Sequence, residues 1–169
     1  MRNIDNIPPK ENGSSSQDNT MERTISFKER RYIEELRILT KSTAIDCIID
    51  DRFDRLIYII TPGDMGIAIG KSGENIKRMQ KVLGKRIEMV EYAEERDQFI
   101  RNIFKPAEVL HVSFPDGESG RIRVAVRNKN EVGIAIGKGG CTIEKARMIV
   151  RRFFGPDSGD IIVEEDHEA

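Results

Sequence analysis

Tryptophan is absent from this 169-residue chain, and aromatic residues make up only 6% of it. So few aromatic side chains argue against a stacking platform of the kind that RRM and OB folds use for nucleic acid. The two cysteines, Cys47 and Cys141, lie too far apart for a CxxC pair, and His111 and His167 are isolated. We therefore expect no metal site or cofactor, and a reducing, cytoplasmic environment.

Long apolar runs are also missing. No stretch approaches the 18 residues that a membrane helix requires, and the polar N-terminus lacks the apolar region of a secretory signal. Residues 1–24 are rich in Asn, Ser, Gly and Pro and have too few apolar side chains to offset ordering entropy. We predict a disordered extension there, with Met21 as an alternative start, and an acidic tail over residues 166–169.

An excess of either charge is the third absence. Lys and Arg number 28 against 29 Asp and Glu, a net charge of −1, so any basic surface must be local. Two local clusters exist. Residues 66–90 hold six basic and two acidic residues, and residues 133–155 hold five basic and one acidic.

What the sequence does contain is an internal repeat. GIAIGKSGENI (66–76) matches GIAIGKGGCTI (133–143) at eight of eleven positions, and residues 55–66 align to 122–133 without gaps. The repeat predicts an α+β chain of two tandem domains, 25–92 and 93–165, each with the element order α-β-β-α-α-β. Only Tyr92 and Ala93 separate the two, so we expect them to be rigidly joined.

Capping and patterning signals place the elements. SFKE (26–29) is a capping box in which Ser26 caps a helix and Glu29 reaches back. The β-branched runs 43–50 and 54–61 predict a hairpin, and Asp64 is expected to cap a short helix that ends at Gly70. Strands that pair as hairpins make a parallel β-α-β arrangement unexpected.

The Gly-Lys-Ser triplet at 70–72 invites comparison with a nucleotide-binding P-loop. That motif needs a glycine five residues before Gly70, where Met65 stands, and the second copy lacks the Ser or Thr that would hold magnesium. The triplet fits a tight turn between two helices better. There, unpaired N–H groups at the start of the second helix, with Lys71 or Lys138, would face an anionic backbone.

The paired Ile-Gly-Lys-x-Gly-x-x-Ile motifs resemble the signature of KH domains, and the helix and strand before each core resemble the type II arrangement. The close tandem is similar to the archaeal members of the NusA family of transcription factors. This resemblance implies a GxxG loop that clamps single-stranded nucleic acid. The residues it implies for RNA binding are Gly66, Ile69, Gly70, Lys71, Ser72, Gly73, Ile76, Lys77 and Arg78, and Gly133, Ile136, Gly137, Lys138, Gly139, Gly140, Ile143, Lys145 and Arg147.

It also implies a monomer that acts in transcription elongation, pausing, termination or antitermination, with single-stranded RNA and RNA polymerase as partners. A tandem KH protein of ribosome assembly or RNA decay would share every motif. A protein-interaction scaffold with purely structural turns is the remaining alternative. No nucleophile–base set or pair of catalytic carboxylates stands out, so we expect a protein that is not an enzyme.

Overall fold

The computed structural model describes residues 23–117 and 120–167. Nearly all of the extension expected over residues 1–24 therefore lies outside the described residues. No helix within these ranges has both the length and the apolar composition that crossing a bilayer requires.

The predicted α-β-β-α-α-β order is confirmed in both units. The first unit consists of α1 (Phe27–Thr40), β1 (Ala44–Asp50), β2 (Arg55–Ile60), α2 (Met65–Ile69), a 3₁₀ turn (Lys71–Gly73), α3 (Glu74–Leu83) and β3 (Arg86–Glu91). The second consists of α4 (Arg96–Phe104), β4 (Val109–Ser113), β5 (Ile122–Val126), α5 (Lys129–Ile136), a 3₁₀ turn (Lys138–Gly140), α6 (Cys141–Phe154) and β6 (Ile161–Glu165).

Each unit has its own three-stranded sheet, ordered β1-β2-β3 in the first and β4-β5-β6 in the second. The predicted hairpins are present, since β1 pairs antiparallel with β2 and β4 with β5. The expectation that a parallel β-α-β arrangement is absent is wrong, because β2 pairs parallel with β3 and β5 with β6. The two helices between the paired strands provide the crossover that a parallel pair needs.

The gapless alignment of the two units is also wrong by one residue in the strands. Leu56 and Tyr58 pack against the helices of the first unit, and the Tyr58 hydroxyl donates to the Tyr32 carbonyl of α1 at 3.0 Å. In the second unit, Ile122, Val124 and Val126 are the buried residues of β5. The strand offset is therefore 66 residues, while the glycine loops keep 67.

A longer helix accommodates the extra residue, since α5 has eight residues and α2 has five. A one-residue slip moves every side chain to the other face of a strand. Ile57 and Ile59, which the alignment had matched to Val124 and Val126, therefore face away from the helices of their own unit.

That second face of the first sheet is covered by the second unit. Ile48, Ile57, Ile59 and Val90 belong to one buried cluster with residues of α4 and α6. All six residues of β2 are consequently buried. The molecule is a stack of four layers: the first set of helices, the first sheet, the second set of helices and the second sheet.

Buried charged side chains connect α6 of the second unit to the first sheet. Arg55, which is 0% exposed, donates to Asp50 at 2.7 Å, to Glu88 at 2.6 Å and to the backbone oxygen of Cys141 at 2.8 Å. At the other end of α6, the Arg152 guanidinium donates to both carboxylate oxygens of Asp46, at 2.6 and 2.7 Å. Charged hydrogen bonds at both ends therefore fix where the second unit lies on the first.

The carboxylates of Glu29 and Asp64, which were expected to cap α1 and α2, bond to residues distant in the sequence instead. Ser26 does cap α1, with its hydroxyl accepting from the Glu29 amide at 3.2 Å, but the Glu29 carboxylate accepts from Arg152 instead of reaching back. Asp64 makes no side-chain cap to α2; its carboxylate accepts from the backbone N–H of Thr43 at 2.9 Å. In both places, a partner distant in sequence replaced the local one.

Candidate nucleic-acid interface

The two glycine loops have nearly the same backbone geometry. Gly70 lies at φ 76°, ψ 169° and Gly137 at φ 80°, ψ 167°. In each loop, this glycine donates to the carbonyl four residues earlier at 2.9 Å and accepts from the last glycine of the loop at 3.1 Å. The third residue of each loop is left-handed, with Ser72 at φ 55° and Gly139 at φ 64°. The repeat is therefore one of conformation as well as of sequence.

Glycine is required at the first position of each loop. A Cβ on Gly70 would lie 2.9 Å from the backbone nitrogen of Asn75, and one on Gly137 would lie 2.8 Å from that of Thr142. Contacts this short with backbone atoms cannot be relieved by a rotamer change, and the positive φ adds strain for any other residue. The loop thus holds the chain close to the next helix in both units.

The helix after each loop begins without a side-chain cap. Gly73 precedes α3 and Gly140 precedes α6, and neither helix has a side chain bonded to its first amides. The first N–H groups of a helix have no partner within it, and the helix dipole places positive charge at the same end. Lys71 and Lys138 are exposed directly beside these amides. Within each turn, the backbone N–H of Glu74 or Cys141 donates to the carbonyl of Lys71 or Lys138. Each loop therefore presents the positive end of a helix dipole and one exposed ammonium at a single point.

The apolar residues expected around the loops divide into two sets. Ile69 and Ile136 are the last residues of the helices before the loops. Ile69 is half-buried, and Ile136 is 38% exposed. Ile76 and Ile143 lie beneath the turns instead: Ile143 is 8% exposed and belongs to the core. The first pair can contact a ligand, whereas the second pair supports the loop from below.

Gly66 and Gly133, predicted to line the grooves, have open space where a Cβ would stand. Neither glycine has a positive φ, so no backbone conformation or internal contact requires glycine there. Another chain can approach the helix closely at both positions.

The basic residues expected after the loops do not all face solvent freely. Lys77 is exposed, but Arg78 donates to the Leu39 carbonyl at the end of α1 at 3.2 Å. Arg147 donates to Glu144 at 2.5 Å. These bonds leave Lys77 as the better candidate for contact with a phosphate in the first unit.

Lys145 departs from the expectation that it lies on the surface beside its own loop. It is only 6% exposed, and its ammonium lies 3.6 Å from Glu88 of the first unit. Burial lowers the pKa of Lys145, which the nearby Glu88 carboxylate partly opposes. The one-residue strand shift and the stacking of the units, neither visible in the sequence, place it in a cleft between the units.

Sequence reasoning also missed Asn75. Its side-chain amide donates to the Ile67 carbonyl of α2 at 2.8 Å, so it fastens the helix before the loop to the helix after it. Thr142 holds the matching position in the second unit. An Asn one residue after a helix start, next to a glycine loop, is the signal that could have indicated it.

Two helices joined by a Gly-Lys-x-Gly turn on a three-stranded sheet, with an added helix and strand in front, define a KH domain of type II, and this chain contains two such units. A KH-domain family model matches residues 29–94. The crystal structure of APE1850 matches the structure of this chain with a TM-score of 0.73 and 30% sequence identity. The match covers 83% of this chain and 100% of the APE1850 chain.

Two relatives are similar in sequence to this chain over most of its length. A probable transcription termination protein NusA of Halococcus morrhuae is 34% identical over 134 residues, which cover 79% of this chain and 94% of the relative. A probable transcription termination protein NusA of Methanococcus vannielii is 36% identical over 120 residues, covering 69% and 66%. The chain belongs to the NusA family of KH-domain proteins.

Proposed function

We propose that this protein binds single-stranded RNA through its two glycine loops and acts as a NusA-like transcription factor. The observation that carries the proposal is the pair of loops. Each has the same backbone angles, uncapped helix amides and an exposed lysine. A turn with a purely structural role would need neither the uncapped helix start nor the exposed lysine. The printed names of the relatives supply the cellular process.

The mechanism is binding without catalysis. The positive dipole ends of α3 and α6, which no side chain caps, attract RNA phosphates, and Lys71 and Lys138 add charge beside them. KH loops of this type clamp about four nucleotides of backbone. Bases then lie against the apolar helix ends at Ile69 and Ile136.

The packing of the two units favours one continuous RNA strand over two separate ones. Arg55 bonds the first residue of α6, directly after the second loop, to the first sheet at 2.8 Å. Because the second loop is tied to the first unit in this way, binding at one loop raises the effective RNA concentration at the other. We further propose that the protein is a cytoplasmic monomer that contacts RNA polymerase while holding the transcript.

The test is fluorescence anisotropy with A-rich single-stranded RNA of about twelve nucleotides, enough for two four-nucleotide clamps and the stretch between them. Two variants place acid in a loop: Lys71→Asp/Ser72→Asp and Lys138→Asp/Gly139→Asp. Phe27→Asp/Lys28→Asp is the matched control, because it makes the same change in charge at the exposed start of α1. Acidic residues are well tolerated at that helix end.

We expect both loop variants to lose most of their affinity while the control binds as the native chain does. The slope of log affinity against log salt should become shallower by about 0.7 for each phosphate that the variant no longer neutralises. If the native protein does not bind RNA, or if the loop variants bind RNA as tightly as the control, the proposal is wrong and the loops are structural turns. Pull-down of RNA polymerase by the native chain and the loop variants then tests the second partner.

A further inference from the structure

Phe53 is an aromatic side chain that lies outside the hydrophobic core. It stands in the turn between β1 and β2 (residues 51–54) and is half-buried. Within the described residues, it belongs to neither of the two hydrophobic clusters. Single apolar side chains at a surface are common, so what this ring can do depends on its neighbours.

The stacking of the two units brings the Phe53 ring beside the second glycine loop. The guanidinium carbon of Arg55 lies 4.8 Å from the centre of the ring, and the same guanidinium donates to the carbonyl of Cys141, the first residue after that loop, at 2.8 Å. Arg52, in the same turn, lies 3.8 Å from the Glu144 carboxylate of α6. The turn of the first unit is therefore a neighbour of the loop of the second.

We propose that Phe53 and Arg52 form a stacking site for one base of the RNA strand that the second loop holds, an inference that rests on the proposed function. Bases of single-stranded RNA stack on aromatic rings and on guanidinium planes, and every base has a face that can do so. The Arg52 guanidinium carbon lies 5.2 Å from the centre of the Phe53 ring, and the Arg52 side chain is 69% exposed. The turn thus offers a base two flat surfaces, one of which is positively charged.

The buried Arg55 holds the ring in position. Its guanidinium is fixed by Asp50 at 2.7 Å and by Glu88 at 2.6 Å. A cation over an aromatic face is attracted to it, so the fixed guanidinium orients the ring of Phe53. Because Phe53 is only half-buried, part of the ring stays open to solvent. A ring that is already oriented loses little conformational freedom when a base stacks on it.

The corresponding connection in the second unit, residues 114–121, uses its aromatic residue differently. Phe114 packs against the buried hydrophobic cluster, whereas Phe53 contacts two guanidinium groups. The aromatic ring outside the core is thus in the turn that the packing of the units places next to a glycine loop. The first unit supplies the ring and the second unit supplies the clamp.

The absence of tryptophan from the native sequence makes the stacking site directly testable. In Phe53→Trp, the new indole is the one tryptophan of the chain, so its fluorescence reports on that position alone, and the ring over Arg55 is kept. Stacking of a base on an indole quenches its emission. We expect the A-rich RNA of about twelve nucleotides to quench Phe53→Trp. Phe27→Trp, at the 86% exposed start of α1, is the matched control and should keep its emission.

Two comparisons connect the quenching to a base at the second loop. In a series of these RNAs, each lacking the base of one nucleotide, one RNA should bind Phe53→Trp without quenching it. Adding Lys138→Asp/Gly139→Asp to Phe53→Trp should abolish the quenching. Adding Lys71→Asp/Ser72→Asp leaves the second loop intact, so saturating RNA should still quench the emission.

Affinity is an independent measure. Phe53→Leu keeps apolar cover over Arg55 but removes the flat ring, so its affinity for the RNA should fall about tenfold, the scale of one base–aromatic stack. Phe27→Leu should bind as the native chain does. Urea midpoints near the native value show that a loss of affinity in Phe53→Leu is not a loss of folding, and Phe53→Trp tests the same site with the ring retained.

Three results overturn the stacking site while loop-dependent RNA binding stands: unquenched emission from Phe53→Trp, equal quenching of Phe27→Trp, or native affinity in Phe53→Leu. If the native protein binds no RNA, the proposed function is refuted, and the stacking site with it.

Discussion

Replacing Arg55 by methionine should both weaken the fold and disconnect the two RNA loops. The fully buried guanidinium bonds Asp50 at 2.7 Å, Glu88 at 2.6 Å and the Cys141 carbonyl at 2.8 Å. Methionine matches the length of the side chain but leaves the Asp50 carboxylate buried without its counterion. Glu88 keeps only Lys145, at 3.6 Å.

Removing one partner of a buried ion pair costs about 3–5 kcal/mol, a large part of a total stability of about 5–15 kcal/mol. With a urea dependence of about 2 kcal/mol per molar, the unfolding midpoint should fall by about 2 M. The Cys141 bond predicts a second effect. RNA that spans both loops should bind less tightly, whereas an RNA of about four nucleotides, long enough for one loop, should keep its affinity.

Arg121→Met is the matched control. With the strand offset of 66 residues, Arg121 is the structural counterpart of Arg55, but it is exposed and bonds Asp160 at 2.9 Å. Exposed ion pairs contribute little to stability, so its midpoint should stay near the native value. Equal midpoints for the Arg55 variant and the native chain, or equal losses in both variants, would refute the role given to the buried cluster.

Two further predictions concern the second loop. Cys141 follows Gly140 directly and is half-buried, whereas Cys47 is buried and burial raises the pKa of its thiol. Maleimide should therefore label Cys141 and not Cys47. Saturating RNA should slow the labelling of Cys141, which mass spectrometry measures. Unchanged labelling of Cys141 in bound protein would place the RNA elsewhere. Gly137→Ala should lower the free energy of unfolding by about 1–3 kcal/mol through strain, whereas Gly133→Ala, with open space at Cβ, should raise it by up to about 1 kcal/mol. Urea titrations compare the two, and equal losses would contradict the steric account of Gly137.

Much of the fold could be predicted because its signals are local. The Ser26 cap, the helix from Glu74 to Leu83 and its closing Gly84 all match the structure. Each depends on residues within one or two turns, where spacing and capping preferences act directly. The two loops belong to the same class, since the contacts that require glycine at Gly70 and Gly137 are with backbone atoms only five residues later.

The errors share a different cause. Parallel pairing of β2 with β3, the strand offset of 66 and the true partner of Glu29 all depend on contacts between distant residues. A gapless alignment cannot detect a one-residue shift that a longer helix absorbs. Arg55 and Lys145 are ordinary basic residues in the sequence, and only stacked layers could bury them.

The sequence by itself determined two copies of one unit, each with a loop whose glycines and lysine suit an anionic backbone, because those requirements are met within a few consecutive residues. Only the tertiary structure decided that the second unit covers the first sheet, that Arg55 ties the second loop to it, and that Lys145 faces a cleft between them. Burial and ion pairing across 80 or more residues of chain arise from packing, and packing is settled only once both units have folded against each other.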